Sequence, residues 1–387
     1  MYQLRKYQED ASRAAVKAFN DKKSKKNGLL ILPTGAGKSL VIADIASKLD
    51  GPLLVFQPSK EILEQNFAKL MSYGIWDCSV YSASVGRKDI NRITFATIGS
   101  VIRHLDDFKH FKNIIIDECH YVNSEAGMYE EFIHDIPGRK VVGLTATPYR
   151  LCSYSMGSML KFLTRTRPRI FTDVFYYCQI SELLAKGYLA NMNYYDITHM
   201  DMTRVKSNST GADYDEKSLL KEYERSHFYD NLLNTIHRLR HPKQGGKRNG
   251  ILVFTRFKKE AQMVCDNIPN CAIVTGETPK KEREDLLKRF KAGEIEVISN
   301  VGVLTTGFDY PELDTIVLAR PTKSLALYYQ MVGRGIRPCG DKVGWVVDMC
   351  GNYRRFGAVS DLRVECPANS TKWMITTRGK QLTNVFF

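Results

Sequence analysis

The chain has 387 residues, 43% hydrophobic and 25% charged, the composition of an ordinary globular protein with room for about two domains, each with its own core. No apolar run approaches the ~20 residues that span a bilayer, and the polar opening MYQLRKYQED lacks the apolar core of a signal peptide, so a cytoplasmic protein with no membrane partner is expected. The formal net charge of +14 suggests a polyanionic partner, although lysines that only keep a protein soluble would give the same sum. Nine cysteines, with no C-x-x-C pair among them, argue for small buried hydrophobes and against a disulfide framework or a zinc ribbon.

Apolar runs of strand length occur at Leu29–Leu32, Leu53–Phe56, Ile114–Ile116, Val141–Leu144, Ile251–Phe254 and Ile316–Leu318. Several lead through a turn into a helical pattern, as buried parallel strands with crossover helices do. The pattern comes in two blocks, which predicts two α/β domains in tandem. The first is expected over 1–190, ending in a helix-like Ile180–Lys186 closed by Gly187. The second is expected over 191–365, with 191–249 as a variable linker and helical segment. Within that segment Asn191–Asp215 is polar and weakly patterned, and SNSTGAD reads as an exposed loop. A helical pattern follows over Glu216–Arg240, then a basic, Gly-containing turn, HPKQGGKRNG. The tail, 366–387, carries Trp373, Phe386 and Phe387 and is too apolar to hang free, so it is expected to pack on a domain.

The run Leu29–Leu32 leads directly into Pro33, Thr34, Gly35, Ala36, Gly37, Lys38 and Ser39, and a helical pattern begins at once. Strand, Gly-rich turn, Lys-Ser and helix make the context of a phosphate-binding loop. Its glycines let backbone N–H groups turn toward a phosphate, and the helix N-terminus adds positive potential. Lys38 is expected to reach the β/γ-phosphates of ATP, and the Ser39 hydroxyl to ligate Mg²⁺.

The isoleucine run Ile114–Ile116 delivers two adjacent acids, Asp117 and Glu118, to a strand end, where open α/β sheets bind their ligands. Asp117 is expected to hold Mg²⁺, partly through the water shell of the ion, and Glu118 to orient and polarise the attacking water. As a pair at a solvated strand end they would be unremarkable; downstream of a phosphate-binding loop they are not. The run Asp117-Glu118-Cys119-His120 resembles the D-E-C-H form of the motif shared by DEAD/DEAH-type helicases of superfamily 2. Position 32, where the general phosphate-loop pattern has glycine, holds Leu32, but PTGAGKS is itself a superfamily 2 form.

Other motifs of that family follow in order. Arg5 and Gln8, in LRKYQ, resemble the Q motif, whose amide reads adenine. Thr145 and Thr147, in GLTATP, resemble motif III, and with His120 they would couple the acid pair to the rest of the motor. Val253–Arg256 resembles motif IV, and Thr305-Thr306-Gly307-Phe308-Asp309 motif V. The run from Gln330 to Arg337 matches Q-x-x-G-R-x-x-R, motif VI. The resemblance implies two tandem RecA-like domains, each a mostly parallel sheet flanked by helices, with ATP in the cleft between them. Gly307, Asp309 and Gln330 would line the nucleotide. Arg334 and Arg337 would be arginine fingers, always charged and forked to fit phosphate oxygens. It also implies nucleic-acid backbone contacts at Pro58, Ser59, Thr97, Gly99, Ser100, Thr255, Arg256 and Thr305, each of which would otherwise be an ordinary strand-end residue.

The stretches DECHYVNSEAGMY and LTATPYRL resemble bacterial RadD-type repair helicases and their phage relatives, although the zinc-binding segment of that type has no cysteine cluster here. The implied function is an ATP-dependent DNA helicase or translocase acting in repair, recombination or replication, with single-stranded or branched DNA rather than RNA as partner. It would work as a monomer, in a bacterial cell or as a phage protein in the host cytoplasm. The alternatives are the motor of a restriction-type system, an RNA helicase, or a clamp with little turnover.

Overall fold

Residues buried on both sides form the frame, and the apolar runs become its strands. The computed structural model describes residues 3–123, 127–135, 138–154, 157–242, 247–248, 250–305 and 310–386. In chain order the strands of the first sheet begin with β1 (Gly28–Ile31), β2 (Leu53–Phe56), β3 (Cys78–Ser82), β4 (Arg87–Lys88), β5 (Ile93–Ala96), β6 (Asn113–Asp117) and β7 (Lys140–Thr145). β8 (Tyr149–Tyr154) and β9 (Gly157–Phe162) pair with each other, and β10 (Asp173–Tyr177) returns to the first sheet. That sheet has the order β10-β1-β7-β6-β2-β5-β3-β4 and is parallel except for β4 on β3.

This order decides where chemistry can sit. β1, β7, β6 and β2 are neighbours, with Ile31 beside Thr145, Ile116 beside Gly143 and Phe56 beside Ile116. Their C-terminal ends therefore deliver the loops after positions 31, 56, 117 and 145 to one edge of the sheet. Helix α1 (Lys6–Asn20) buries Tyr7, Ala11, Ala15 and Phe19, an i, i+4 stripe, and packs on α2 (Lys38–Lys48). Helix α3 (Lys60–Met71) follows β2.

The second sheet contains β11 (Met192–Asp196), β12 (Ile251–Thr255), β13 (Cys271–Thr275), β14 (Val297–Val301), β15 (Thr315–Ala319) and β16 (Gly344–Asp348). Its order is β11-β16-β15-β12-β14-β13, all parallel. The chain thus divides into two units. The first comprises Met1–Arg150, Lys161–Gln179 and Arg363–Thr376; the second comprises Leu151–Leu160, Ile180–Leu362 and Thr377–Phe387.

Several details differ from the sequence reading. The polar stretch after Asn191 contains the edge strand β11, whose residues alternate between half-buried and exposed. The helical pattern over Glu216–Arg240 is two helices, Glu216–Arg225 and Phe228–Arg240, broken where His227 takes φ 50°. Tyr223 and Phe228 stack across the break with ring centres 4.1 Å apart. The C-terminal residues divide between the units: Trp373 packs edge-on against Tyr177 in the first, and Phe386 against Tyr154 in the second. Phe387 lies outside the described residues. The cysteine reading needs one correction. Cys265 and Cys271 form a disulfide, because the helix Lys258–Asn267 runs straight into β13 and brings their Cα atoms within 5.0 Å. No helix among the described residues is long and apolar enough to cross a membrane.

Candidate functional site

The phosphate-binding loop is held from beneath by α1. The Tyr7 hydroxyl and the Gln8 amide Nε2 both donate to the Ala36 carbonyl, each at 2.9 Å. The other end of the Gln8 amide accepts the Arg5 backbone N–H at 2.9 Å. Gln8, expected as a reader of adenine, is thus engaged at both ends and acts as a latch on the loop, a role that became visible only in the fold. Gly37 sits at φ 77°, and a Cβ there would lie 2.6 Å from Gln8 Nε2, so both conformation and space require glycine. Leu32, at the departure from the usual loop pattern, is buried, and its N–H donates to the Thr145 carbonyl at 3.1 Å. The strand pairing with β7 therefore runs one residue further before the turn begins.

The acid pair lies directly under Lys38 and Ser39. Lys38 Nζ is 2.8 Å from Glu118 Oε1. Burial alone would push Glu118 up, but Lys38 and the His120 hydrogen bond hold it below the usual carboxylate range. Asp117 has no cation that close. Burial, and then the neighbouring negative Glu118, push it up to about 7. Asp117 Oδ1 accepts the Glu118 N–H at 3.0 Å, and Oδ2 accepts from Asn66 Nδ2 at 3.0 Å. Glu118 itself has φ 47°, a left-handed conformation uncommon for a residue with a side chain.

His120 connects this pair to motif III. Its Nδ1 lies 3.3 Å from Glu118 Oε2 and 3.0 Å from Thr145 Oγ1. Thr145 Oγ1 in turn accepts the Thr147 N–H at 3.0 Å. Lys38, Glu118, His120, Thr145 and Thr147 thus form one continuous polar chain within the first unit. Sequence reasoning missed Asn66 and Gln57, which join the network from α3 and from the residue after β2.

The remaining nucleic-acid candidates of the first unit sit at the same sheet edge. Pro58 and Ser59 follow β2, and Ser59 Oγ caps α3 by accepting the Ile62 N–H. Thr97 Oγ1 lies 3.0 Å from Ser100 Oγ and 3.1 Å from Ser82 Oγ, and Ser100 Oγ accepts the Ala83 N–H. Gly99 stands between them, in the short helix Ile98–Val101.

In the second unit Thr255 is buried and donates to the Asn300 carbonyl, so its hydroxyl is used inside the sheet. Arg256 pairs with Asp213 at 2.5 Å, from the loop SNSTGAD. Thr305 donates to the Val303 carbonyl, while Gly307 and Asp309 lie outside the described residues. Gln330 and Arg334 are buried on one helix end, where Arg334 Nε donates to the Gln330 carbonyl at 3.4 Å, and Arg337 is half-buried. Glu260, fully buried, accepts the N–H groups of Arg256 and Phe257, and burial pushes it up to about 7.

A folded pKa above the unfolded one means that the folded state binds more protons. The penalty from Glu260 is therefore absent below about pH 4 and grows as pH rises through 7. Replacing Glu260 with glutamine is expected to remove it, narrowing the loss of stability between pH 5 and pH 8 by up to about 3 kcal/mol. Thermal melts of both proteins at the two pH values measure this, and equal losses would show the group to be ionised without cost.

Comparison with known proteins places these motifs. Residues 1–150 match the family described as type III restriction enzyme, res subunit, and residues 230–339 match the helicase conserved C-terminal domain. The chain is 28% identical over 365 residues to IRC3 of Saccharomyces cerevisiae, named as a candidate ATP-dependent helicase, covering 86% of this chain and 49% of that protein. It is 25% identical over 366 residues to the DNA 3'-5' translocase XPB2 of Sulfurisphaera tokodaii, covering 87% of this chain and 79% of that one. Among solved structures, the ATP-dependent Type ISP restriction-modification enzyme LlaBIII bound to DNA shares the fold. It aligns with a TM-score of 0.65 and 18% identity over 90% of this chain and 28% of that one. The chain spans about half to two-thirds of the length of most curated relatives it matches.

Proposed function

The chain belongs to superfamily 2 of the helicases, and on that premise we propose that it couples ATP hydrolysis to movement on DNA, unwinding or remodelling it. The observation that carries the proposal is the polar chain from Lys38 through Glu118 and His120 to Thr145, set directly at the phosphate-binding loop.

In this reading the loop N–H groups and Lys38 bind the β/γ-phosphates, and Glu118, freed from Lys38 by the incoming phosphate, orients and polarises the attacking water. Ser39 and Asp117 fit Mg²⁺: both offer hard oxygen donors, and Asp117 is a buried carboxylate whose charge lacks a close counter-ion. When bound, Mg²⁺ would supply neutralisation of phosphate charge. The hydrogen bond from His120 to Thr145 passes the state of Glu118 on to motif III. Arg334 and Arg337 are assigned as fingers on the spacing of motif VI, and Gly307, Asp309 and Gln330 as nucleotide contacts on motifs V and VI. The DNA contacts proposed are phosphate contacts at Pro58, Ser59, Thr97, Gly99, Ser100, Arg256 and Thr305. Because one chain carries both RecA-like units, it is proposed to act as a monomer, in the cytoplasm. A second reading, the motor of a restriction-type system, draws support from the res-subunit match and the likeness to LlaBIII, and would require a nuclease partner.

The test is steady-state ATP turnover with single-stranded, forked and duplex DNA and with RNA, together with DNA binding across a salt series. Turnover is expected to rise with DNA more than with RNA. Affinity is expected to fall with salt with little sequence preference, each neutralised phosphate adding roughly 0.7–0.9 to the log–log slope. Turnover indifferent to every nucleic acid, or binding indifferent to salt, would overturn the proposal.

A further inference from the structure

Asn66 belongs to no motif recognised in the sequence, yet it stands at the centre of the site. It lies on the inward face of α3 and is 5% exposed. Ser39 Oγ donates to Asn66 Oδ1 at 2.6 Å. Asn66 Nδ2 donates to Asp117 Oδ2 and to Gln57 Oε1, both at 3.0 Å. Gln57, itself buried, follows β2, which is paired with β6 and so stands beside Asp117. One amide therefore joins the loop after β1, the end of β2 and the end of β6.

The chemistry of the amide suits this place better than any other side chain of its size. It offers an acceptor at one end and two donors at the other. Its orientation is set by its neighbours, since reversal would turn Oδ1 onto the Asp117 carboxylate and the amide protons onto the Ser39 proton. By taking the single Oγ proton of Ser39, it leaves the serine lone pairs available as ligands. By donating to Oδ2 while the Glu118 N–H holds Oδ1, it fixes the plane of the Asp117 carboxylate. Leucine would leave Ser39 and Asp117 both unmatched, and aspartate would set a second carboxylate against the first.

We propose that Asn66 is the positioning residue that orients Ser39 and Asp117 as a pair for Mg²⁺. The inference rests on the reading, made above, that those two residues hold the cation. Groups that orient metal ligands from behind typically contribute 10- to 100-fold in metal affinity or activity. A buried asparagine retained only for packing would not act selectively on the cation.

The full-length chain is therefore to be titrated with ADP by calorimetry, with and without MgCl₂, as wild type and as Asn66→Ala, with circular dichroism to check the fold. The wild type should bind ADP more tightly with MgCl₂. The variant should keep its Mg²⁺-free affinity, since Lys38 and the loop are intact, and lose about 10-fold or more of the Mg²⁺-dependent gain. The Mg²⁺ concentration that half-saturates ATP turnover should rise correspondingly, with excess Mg²⁺ restoring most of the rate. An unchanged Mg²⁺-dependent gain would overturn the inference. If alanine does not fold, Asn66→Ser, which retains a small polar group, is read in the same way. Loss of the fold in both would also overturn it, because the side chain would then be structural. A wild type whose ADP binding ignores Mg²⁺ would instead overturn the assignment of Ser39 and Asp117.

Discussion

Replacing Glu118 with glutamine is expected to lower ATP turnover roughly 10²–10⁴-fold, the range typical of a lost general base, while nucleotide binding stays within a few-fold. The two side chains have the same shape, so the contact with His120 Nδ1, 3.3 Å away, can persist through the amide oxygen. What disappears is the charge. Lys38, held at 2.8 Å by that charge, gains freedom to follow the phosphates, so binding is not expected to weaken. Turnover and calorimetric affinity for ADP with MgCl₂ measure the two effects separately. Loss of binding along with turnover would show that the carboxylate maintains the loop and is not the group that activates water.

Arg337→Ala is expected to remove DNA-stimulated hydrolysis by about 10³–10⁵-fold, as arginine fingers do, with ATP binding largely intact. Lys38, Ser39 and Asp117 all belong to the first unit, so they can hold nucleotide without motif VI. Of the two motif VI arginines, Arg334 is the more deeply buried and donates to a carbonyl of its own helix, whereas Arg337 is half-buried. Lysine at 337 should rescue poorly, because it is a point charge without the planar fork. If Arg337 instead grips a DNA phosphate, the variant would bind DNA weakly and recover full turnover at saturating DNA. A titration of turnover against DNA concentration separates the two roles.

What could be read from the sequence follows from how each element is buried. Ile114–Ile116 and Leu53–Phe56 are apolar without interruption because both faces of a central parallel strand are covered. The strand β14, VISNV, is just as central, but its buried Ser299 and Asn300 broke the apolar run and hid it. β11 was hidden for the opposite reason: an edge strand buries little, and MNYYD looks like loop. Among site residues, those that need a local shape, Gly37 to Ser39 and Asp117 to His120, could be found by spacing alone. Asn66 could not, since its partners lie 9, 27 and 51 residues away and only the sheet order brings them together. Gln8 was singled out correctly as a polar residue with a task, but its partner in the fold is the Ala36 carbonyl. Arg256 likewise faces Asp213, an acid in a loop that looked featureless.

The backbone of Glu118, at φ 47°, bears on how this chain can change over generations. A residue with a side chain held there costs about 1–2 kcal/mol relative to the right-handed region, and glycine at that position would recover most of it. A lineage selected only to resist heat would therefore drift toward glycine at position 118, and each such step would delete the carboxylate beside Lys38. Persistence of glutamate at that position thus records selection acting against stability. A library of variants ranked by melting temperature alone would then enrich inactive proteins first at this residue, so a search for a hardier motor has to screen turnover from its first round.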